Sequence, residues 1–271
     1  MGIFFYIILF IMGTFFGSFF TLAVYRIPKK QDITHTHSYC PNCNHKLGLL
    51  DLFPIFSYIF LGGKCRYCKE KIRPRYLILE ILSGVVFILI AYLTNVSIFN
   101  INSVTIANSV FLALYLCFIF IMGGIDKENR KIEKSVSVYG IMISLIYIAY
   151  LCIIGQASIY RYVIYLILYV LVLILDTITL KRYAQSTYLN GIILTIITMF
   201  IFTEEYVTLN TIILTLLTIA IYILIYKLQN LKNKNIKTEK QIGRQLSIGY
   251  ILAISNIINL IFVLICNKLI L

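Results

Sequence analysis

Val104–Ile125 reads V-T-I-A-N-S-V-F-L-A-L-Y-L-C-F-I-F-I-M-G-G-I, 22 residues without a charge, and the residue that closes it is Asp126. At 1.5 Å of rise per residue, a helix of this length covers about 33 Å, the thickness of a bilayer's hydrocarbon core. The stretch predicts a transmembrane helix, and its surroundings repeat the pattern. Apolar runs also occupy Ile3–Tyr25, Tyr76–Val96, Val136–Ile154, Tyr160–Leu180, Tyr188–Phe202, Val207–Tyr226 and Ser247–Cys266, which makes eight, with Tyr188–Phe202 the shortest. Composition agrees: the 271 residues are 60% hydrophobic and 13% charged, with no tryptophan, and the mean hydropathy is +0.90. The expected fold class is an all-α polytopic membrane protein of about eight transmembrane helices. The first run lacks a basic leading region and is followed by Arg26, Lys29 and Lys30, so it reads as a retained helix, not a cleaved signal.

Lysine and arginine set the orientation, because basic residues beside helix ends stay on the cytoplasmic side. Threading eight spans from an outside N-terminus puts 22 of the 24 Lys and Arg residues in inner loops, and leaves only Arg161 and Lys268 elsewhere. The opposite face collects Glu204 and Glu205. The net charge of +13 is then explained by basic loops lying against anionic lipid, with no nucleic-acid partner required.

The loop 26–75 between the first two runs holds all four prolines and the pairs Cys40-Pro-Asn-Cys43 and Cys65-Arg-Tyr-Cys68, 21 residues apart. Two such knuckles present four thiolates to one ion, the ligand set of a structural tetrahedral Zn²⁺ site. A cytoplasmic location keeps thiols reduced and favours metal over disulfide. A loop this short has no room for a large core and uses the metal as a staple. Cys117, Cys152 and Cys266 lie inside apolar runs and read as small buried hydrophobes, and His35, His37 and His45 as solvated loop residues. Within the loop, Leu49–Leu61 is apolar, too short to span, and reads as an interfacial segment. The expected organisation is a first helix over 1–25, a four-cysteine zinc loop over 26–75 and a helical bundle over 76–271, in which Gln229–Lys240 is a solvated connector.

Three carboxylates, Glu80, Asp126 and Asp176, fall within or at the ends of apolar runs, where ionisable groups are costly enough to be functional candidates. Gly123-Gly124 ahead of Asp126 allows backbone or substrate to come close. Asp126 and Asp176 are the one intramembrane aspartate pair, and two aspartates sharing a proton can activate water on a peptide carbonyl. Glu80 stands near the inner end of the second run, beside Arg73 and Arg75, and is a candidate to line a small-molecule pocket.

These residues are similar, in order, to the type IV prepilin peptidases, the bifunctional leader peptidase and N-methyltransferase family of GxGD-type aspartyl proteases. Gly17-Ser18-Phe19-Phe20-Thr21-Leu22-Ala23-Val24-Tyr25-Arg26-Ile27-Pro28 resembles G-S-F-x-N-V-x-I-x-R-x-P, with Thr21 where Asn is usual. The cysteine knuckles flank Asp51-Leu52-Phe53-Pro54-Ile55, which is similar to D-N-I-P-L, and Ile72-Arg73-Pro74-Arg75-Tyr76 with Glu80 resembles I-S-P-R-Y-P-x-V-E. Asp126 with Ile132 resembles the first catalytic motif D-x5-I-P, with Glu133 in place of the proline. The second motif, G-x-G-D-x-K, is expected near Gln185–Gly191, where the chain reads Q-S-T-Y-L-N-G and carries no aspartate. Ser247–Ala253 resembles P-F-G-P-x-L-A.

The resemblance implies an enzyme of the bacterial inner membrane that cuts the basic leader of type IV prepilin-like proteins at the cytoplasmic face. It also implies methylation of the new N-terminus with S-adenosylmethionine, with Glu80 as the candidate cofactor-side residue. Asp126 carries over as one catalytic carboxylate. Either Asp176 serves as the second, or the protease half has lost it and a methyltransferase or prepilin-binding role remains.

Overall fold

The computed structural model describes residues 2–94, 102–179, 184–233 and 246–270. They form ten α-helices: α1 (Gly2–Arg26), α2 (Leu49–Leu52), α3 (Phe56–Phe60), α4 (Arg75–Leu93), α5 (Ser103–Asn129), α6 (Lys134–Ile153), α7 (Ile159–Thr179), α8 (Ala184–Phe202), α9 (Glu205–Asn233) and α10 (Ile248–Ile270). The described residues include no strand, only the isolated pairings Tyr39 with Lys46 and Lys64 with Lys71. Seven helices, α1, α4, α5, α6, α7, α9 and α10, are long and apolar enough to cross a membrane, and the eighth apolar run, Tyr188–Phe202, is the shorter apolar part of α8. Helices are the expected solution, since each segment must pair its own backbone polar groups where water is absent. Part of the connector Gln229–Lys240, and Lys181 with Arg182, lie outside the described residues.

The helices carry apolar side chains on the outside and a set of polar ones among the buried residues. Large apolar side chains such as Ile3, Phe4, Ile164, Ile167, Leu216 and Phe262 are exposed, whereas Thr195, Thr198, Thr208, Thr211 and Asn256 are buried. Threonines in the helix interiors return their hydroxyls to the carbonyl four residues back, as Thr195 does to Gly191 and Thr211 to Val207. Across helices, Tyr115 donates to Asn256 Oδ1 at 2.8 Å, and Asn259 Nδ2 donates to the Val207 carbonyl at 2.7 Å.

Contacts divide the chain into two compact units, Met1–Ala113 and Leu114–Leu271, with the boundary inside α5. In the first unit, α4, grouped by sequence with the bundle 76–271, packs along α1. Gly13 and Gly17, four apart, let the helices close: a Cβ on Gly13 would lie 2.8 Å from the Gly84 Cα, and one on Gly17 would lie 2.9 Å from the Glu80 Cα. This is small-residue packing, by which membrane helices approach closely without help from the hydrophobic effect. At the end of α1, Arg26 is only 2% exposed. Its guanidinium donates to the carbonyls of Asp32 (2.8 Å), Thr36 (3.0 Å) and His37 (2.9 Å) and to Thr36 Oγ1 (2.7 Å), and so ties down the chain that leads to the first cysteine knuckle.

In the second unit, Ile148 and Leu151 of α6, Tyr162, Tyr169 and Val172 of α7, and Leu194, Ile197 and Ile201 of α8 form one apolar core. Elsewhere in this unit α5 and α10 meet closely, since a Cβ on Gly123 would lie 2.7 Å from that of Ala253. Gly123 thus admits a helix. Arg161 closes the end of α8 by donating to the carbonyls of Phe200 (2.8 Å) and Thr203 (3.0 Å).

Candidate functional site

The four loop cysteines converge. Their Sγ atoms all lie within 4.8 Å of one another, and Cys40 Sγ is 3.8 Å from Cys68 Sγ. With Zn–S bonds of about 2.3 Å, a tetrahedral site has S–S edges of about 3.8 Å, so the donor set and its spacing fit zinc. The two knuckles are copies in backbone as well as in spacing. In the first, Cys40 N–H donates to the His45 carbonyl and Asn44 N–H to the Cys40 carbonyl; in the second, Cys65 N–H donates to the Glu70 carbonyl and Lys69 N–H to the Cys65 carbonyl. Asn44 (φ 56°) and Lys69 (φ 61°) both take the left-handed conformation one residue past the second cysteine. That turn brings the next N–H back onto sulfur. The backbone N–H of Glu70 holds the Cys68 thiol down at about 7, against burial, with the Asn42 amide helping. At Cys43 the corresponding N–H of His45 acts in the same sense, yet desolvation and the neighbours Cys40 and Cys68 push that thiol up to about 11. Four sulfurs this close resist joint ionisation, and a divalent cation removes the conflict.

Asp51 fastens the second knuckle to α2. Arg66 Nε donates to Oδ1 at 2.6 Å, and Tyr67 Oη (3.3 Å) and Gly48 N–H (3.1 Å) donate to Oδ2. Burial raises the Asp51 carboxyl, and Arg66 with the Gly48 N–H outweighs it, so the group sits below its ordinary value. His45 lies against Tyr67 with ring centroids 3.6 Å apart and planes tilted by 33°, and is exposed, as expected for a residue outside the ligand set. Leu49, Leu50 and Phe60 are 88%, 78% and 81% exposed, the apolar surface that an interfacial segment presents.

Glu80 reaches back from α4 to this loop. Its Oε2 accepts the N–H of Ile55 at 2.7 Å. Ile55 has φ 63° and ψ −55°, and Phe56 N–H donates to the Pro54 carbonyl at 2.6 Å. This is a γ-turn with positive φ, a costly conformation for a β-branched residue. These contacts make Glu80 the clamp on a strained turn.

Asp126, at the end of α5, is fully buried. Its Oδ2 accepts the Tyr250 N–H at 3.0 Å and the Tyr188 hydroxyl at 3.1 Å. Its Oδ1 is buried and has no hydrogen-bond partner among the described residues. A Cβ on Gly249 would lie 3.1 Å from Asp126 Oδ2, so the glycine is what lets the start of α10 reach the carboxylate. Lys127 turns away and donates to Tyr250 Oη at 2.9 Å. Three separate stretches therefore meet here. Asp126 and Ile132 come from the first, Tyr188 and Gly191 from the start of α8, and Ile248–Tyr250 from the start of α10. Ile132 fills the space that a Gly191 side chain would need, with its Cβ 2.8 Å from the ideal Cβ position.

Asp176 is engaged elsewhere. Asn190 Nδ2 donates to its Oδ1 at 3.1 Å, and Lys134 Nζ lies 3.5 Å from its Oδ2. Tyr188 and Asn190 are two positions apart on α8, hence about 200° apart around the helix. The two aspartates accordingly address opposite faces of α8. Sequence reasoning missed Tyr188, although it lies inside the Gln185–Gly191 window.

Residues 11–94 match the family model described as Bacterial Peptidase A24 N-terminal domain. A relative from Vibrio cholerae serotype O1, named prepilin leader peptidase/N-methyltransferase, is 32% identical over 152 residues, 53% of this chain and 56% of its own length. Proteins of the same name from Klebsiella pneumoniae and Bacillus subtilis are 34% and 39% identical, over 31% and 30% of this chain and 40% and 32% of theirs. The chain thus spans about half, or less, of the length of these relatives. No solved structure matches it.

Proposed function

We propose that this chain is a membrane-embedded prepilin leader peptidase that removes the basic leader of type IV prepilin-like proteins and methylates the new N-terminus. The observation that carries the peptidase reading is the convergence on Asp126 of three stretches: its own D-x5-I segment, the window Gln185–Gly191 and the segment Ser247–Ala253. The N-terminal match and the names of the relatives support both activities. In hydrolysis Asp126 is the base. It takes a proton from water as the water oxygen bonds to the scissile carbonyl, and returns it to the amine when the C–N bond breaks. Cys40, Cys43, Cys65 and Cys68 would hold a structural Zn²⁺ that staples the loop and supplies no reaction step. S-adenosylmethionine, the methyl donor when bound, would be served from the N-terminal unit, where the family match lies. The membrane is the bacterial inner membrane, with the cysteine loop and Asp126 on the cytoplasmic side, as the distribution of Lys and Arg supports.

The test is cleavage of a prepilin substrate by membranes carrying the full chain as wild type or Asp126→Asn, read as a leader-length shift. Wild type is expected to cut and Asp126→Asn to be inactive at equal insertion. Normal processing by Asp126→Asn would sink the peptidase assignment.

A further inference from the structure

The hydroxyl of Tyr188 is used completely. It donates its proton to Asp126 Oδ2 at 3.1 Å, and its oxygen accepts the N–H groups of Ile248 at 3.0 Å and Gly249 at 3.4 Å. The next N–H in line, from Tyr250, goes directly to Asp126 Oδ2 at 3.0 Å. N–H groups in the first turn of a helix have no partner within it, and the helix dipole there favours negative charge. Three consecutive donors at the start of α10 thus seat one phenol and one carboxylate oxygen. A side chain at Gly249 would crowd the arrangement, because its Cβ would lie 3.1 Å from both Asp126 Oδ2 and Met122 Sδ.

The other carboxylate oxygen is treated differently. Asp126 Oδ1 is buried without a hydrogen-bond partner among the described residues. A sealed, unpaired carboxylate oxygen is expensive, and such a group is retained where a water or a reacting group makes use of it. Tyr188 lies at the place in the chain where the second catalytic aspartate is expected. Asp176, the alternative carboxylate, is held by Asn190 and Lys134 on the opposite face of α8.

We propose that Tyr188 is the positioning residue of the reaction centre, so that hydrolysis runs on a single carboxylate oriented by a phenol and not on two aspartates. This inference rests on the peptidase reading. The Tyr188 O–H and the Tyr250 N–H fix Oδ2 and leave Oδ1 as the oxygen that meets water. Water gives one proton to Oδ1 as its oxygen bonds to the carbonyl carbon, and the carbonyl electron pair moves onto oxygen. The pair returns as the C–N bond breaks, and Asp126 passes the proton to the leaving amine. Tyr188 keeps its own proton throughout.

The test is steady-state cleavage by the full chain as wild type, Tyr188→Phe, Tyr188→Asp and Asp126→Asn, at matched insertion. Tyr188→Phe preserves the ring and removes the hydroxyl. It is expected to lower kcat by about 10- to 100-fold, the worth of a hydrogen bond to a charged group, with KM within about threefold because the hydroxyl does not touch substrate. A role confined to packing would leave kcat unchanged in the phenylalanine variant. Wild-type kcat in Tyr188→Phe beside an inactive Asp126→Asn overturns the inference and leaves the peptidase reading standing. Cleavage by Tyr188→Asp but not by wild type also overturns it, since the tyrosine would then be blocking a carboxylate position. Activity in Asp126→Asn, or none in any form, overturns both.

Discussion

Asp126 and Asp176 are the same residue type in similar apolar sequence, and what separates them is the company each keeps. Asp126 Oδ2 accepts from Tyr188 and Tyr250, and among the described residues its Oδ1 has no hydrogen-bond partner. Asp176 is 18% exposed and pairs with a Lys134 side chain that is 64% exposed, a contact of small energetic weight. Asp176→Asn is therefore expected to cleave prepilin at close to the wild-type rate, since its carboxylate is engaged by Asn190 and Lys134 and not by Asp126. A loss as deep as that of Asp126→Asn, in the same leader-shift assay, would restore Asp176 as a catalytic partner. In the loop, Asp51 has a carboxyl held low by Arg66 and the Gly48 N–H despite burial. Its folded value lies below the unfolded value of about 3.9, so its stabilisation is fully present above that pH and is lost as pH falls through the folded value. Asp51→Asn should accordingly lower the melting temperature of the purified protein at neutral pH, and the gap from wild type should narrow as the solution is acidified through that range. A gap independent of pH would remove the carboxylate from the explanation.

Elements are joined here by small contacts. Gly13 and Gly17 bring α1 against α4 so closely that a single Cβ at either position meets backbone. Gly17→Leu is expected to force the two helices apart and to cost several kcal/mol, as over-packing of a tight interface does at about 1–3 kcal/mol or more. The measurement is the detergent melting temperature together with resistance to limited proteolysis in the loop after α1, and unchanged values for both would refute the close packing. The two knuckles meet through their sulfurs, through His45 on Tyr67 and through the Asn42 amide on Cys68, and a metal held by the four sulfurs would couple loop stability to metal binding. Cys65→Ser, which removes a buried sulfur, should lower bound zinc from one equivalent per chain to well below it, measured by elemental analysis after purification. It should also make 31–72 sensitive to protease. Full zinc content in that variant would remove the four-cysteine site.

For the molecule as a whole, the exposed apolar side chains suit a chain in lipid, and the basic loops predict its orientation. An impermeant thiol reagent added to intact cells should label Glu204→Cys but reach Lys131→Cys only after the membrane is opened; the reverse pattern would invert the topology. The helices and their order were legible in the sequence because each uncharged run must satisfy its own backbone within the bilayer, a local requirement that no partner can change. The cysteine cluster was legible for a similar reason, since the C-x-x-C turn places two sulfurs by covalent geometry. The partner of Asp126 was not. It depends on contacts across 62 residues to Tyr188 and 124 residues to Tyr250, and half of the donors are backbone N–H groups that every residue but proline carries. Side-chain identity therefore nominated two aspartates, and only the packing of α5, α8 and α10 decided that a tyrosine and a helix terminus stand beside the first.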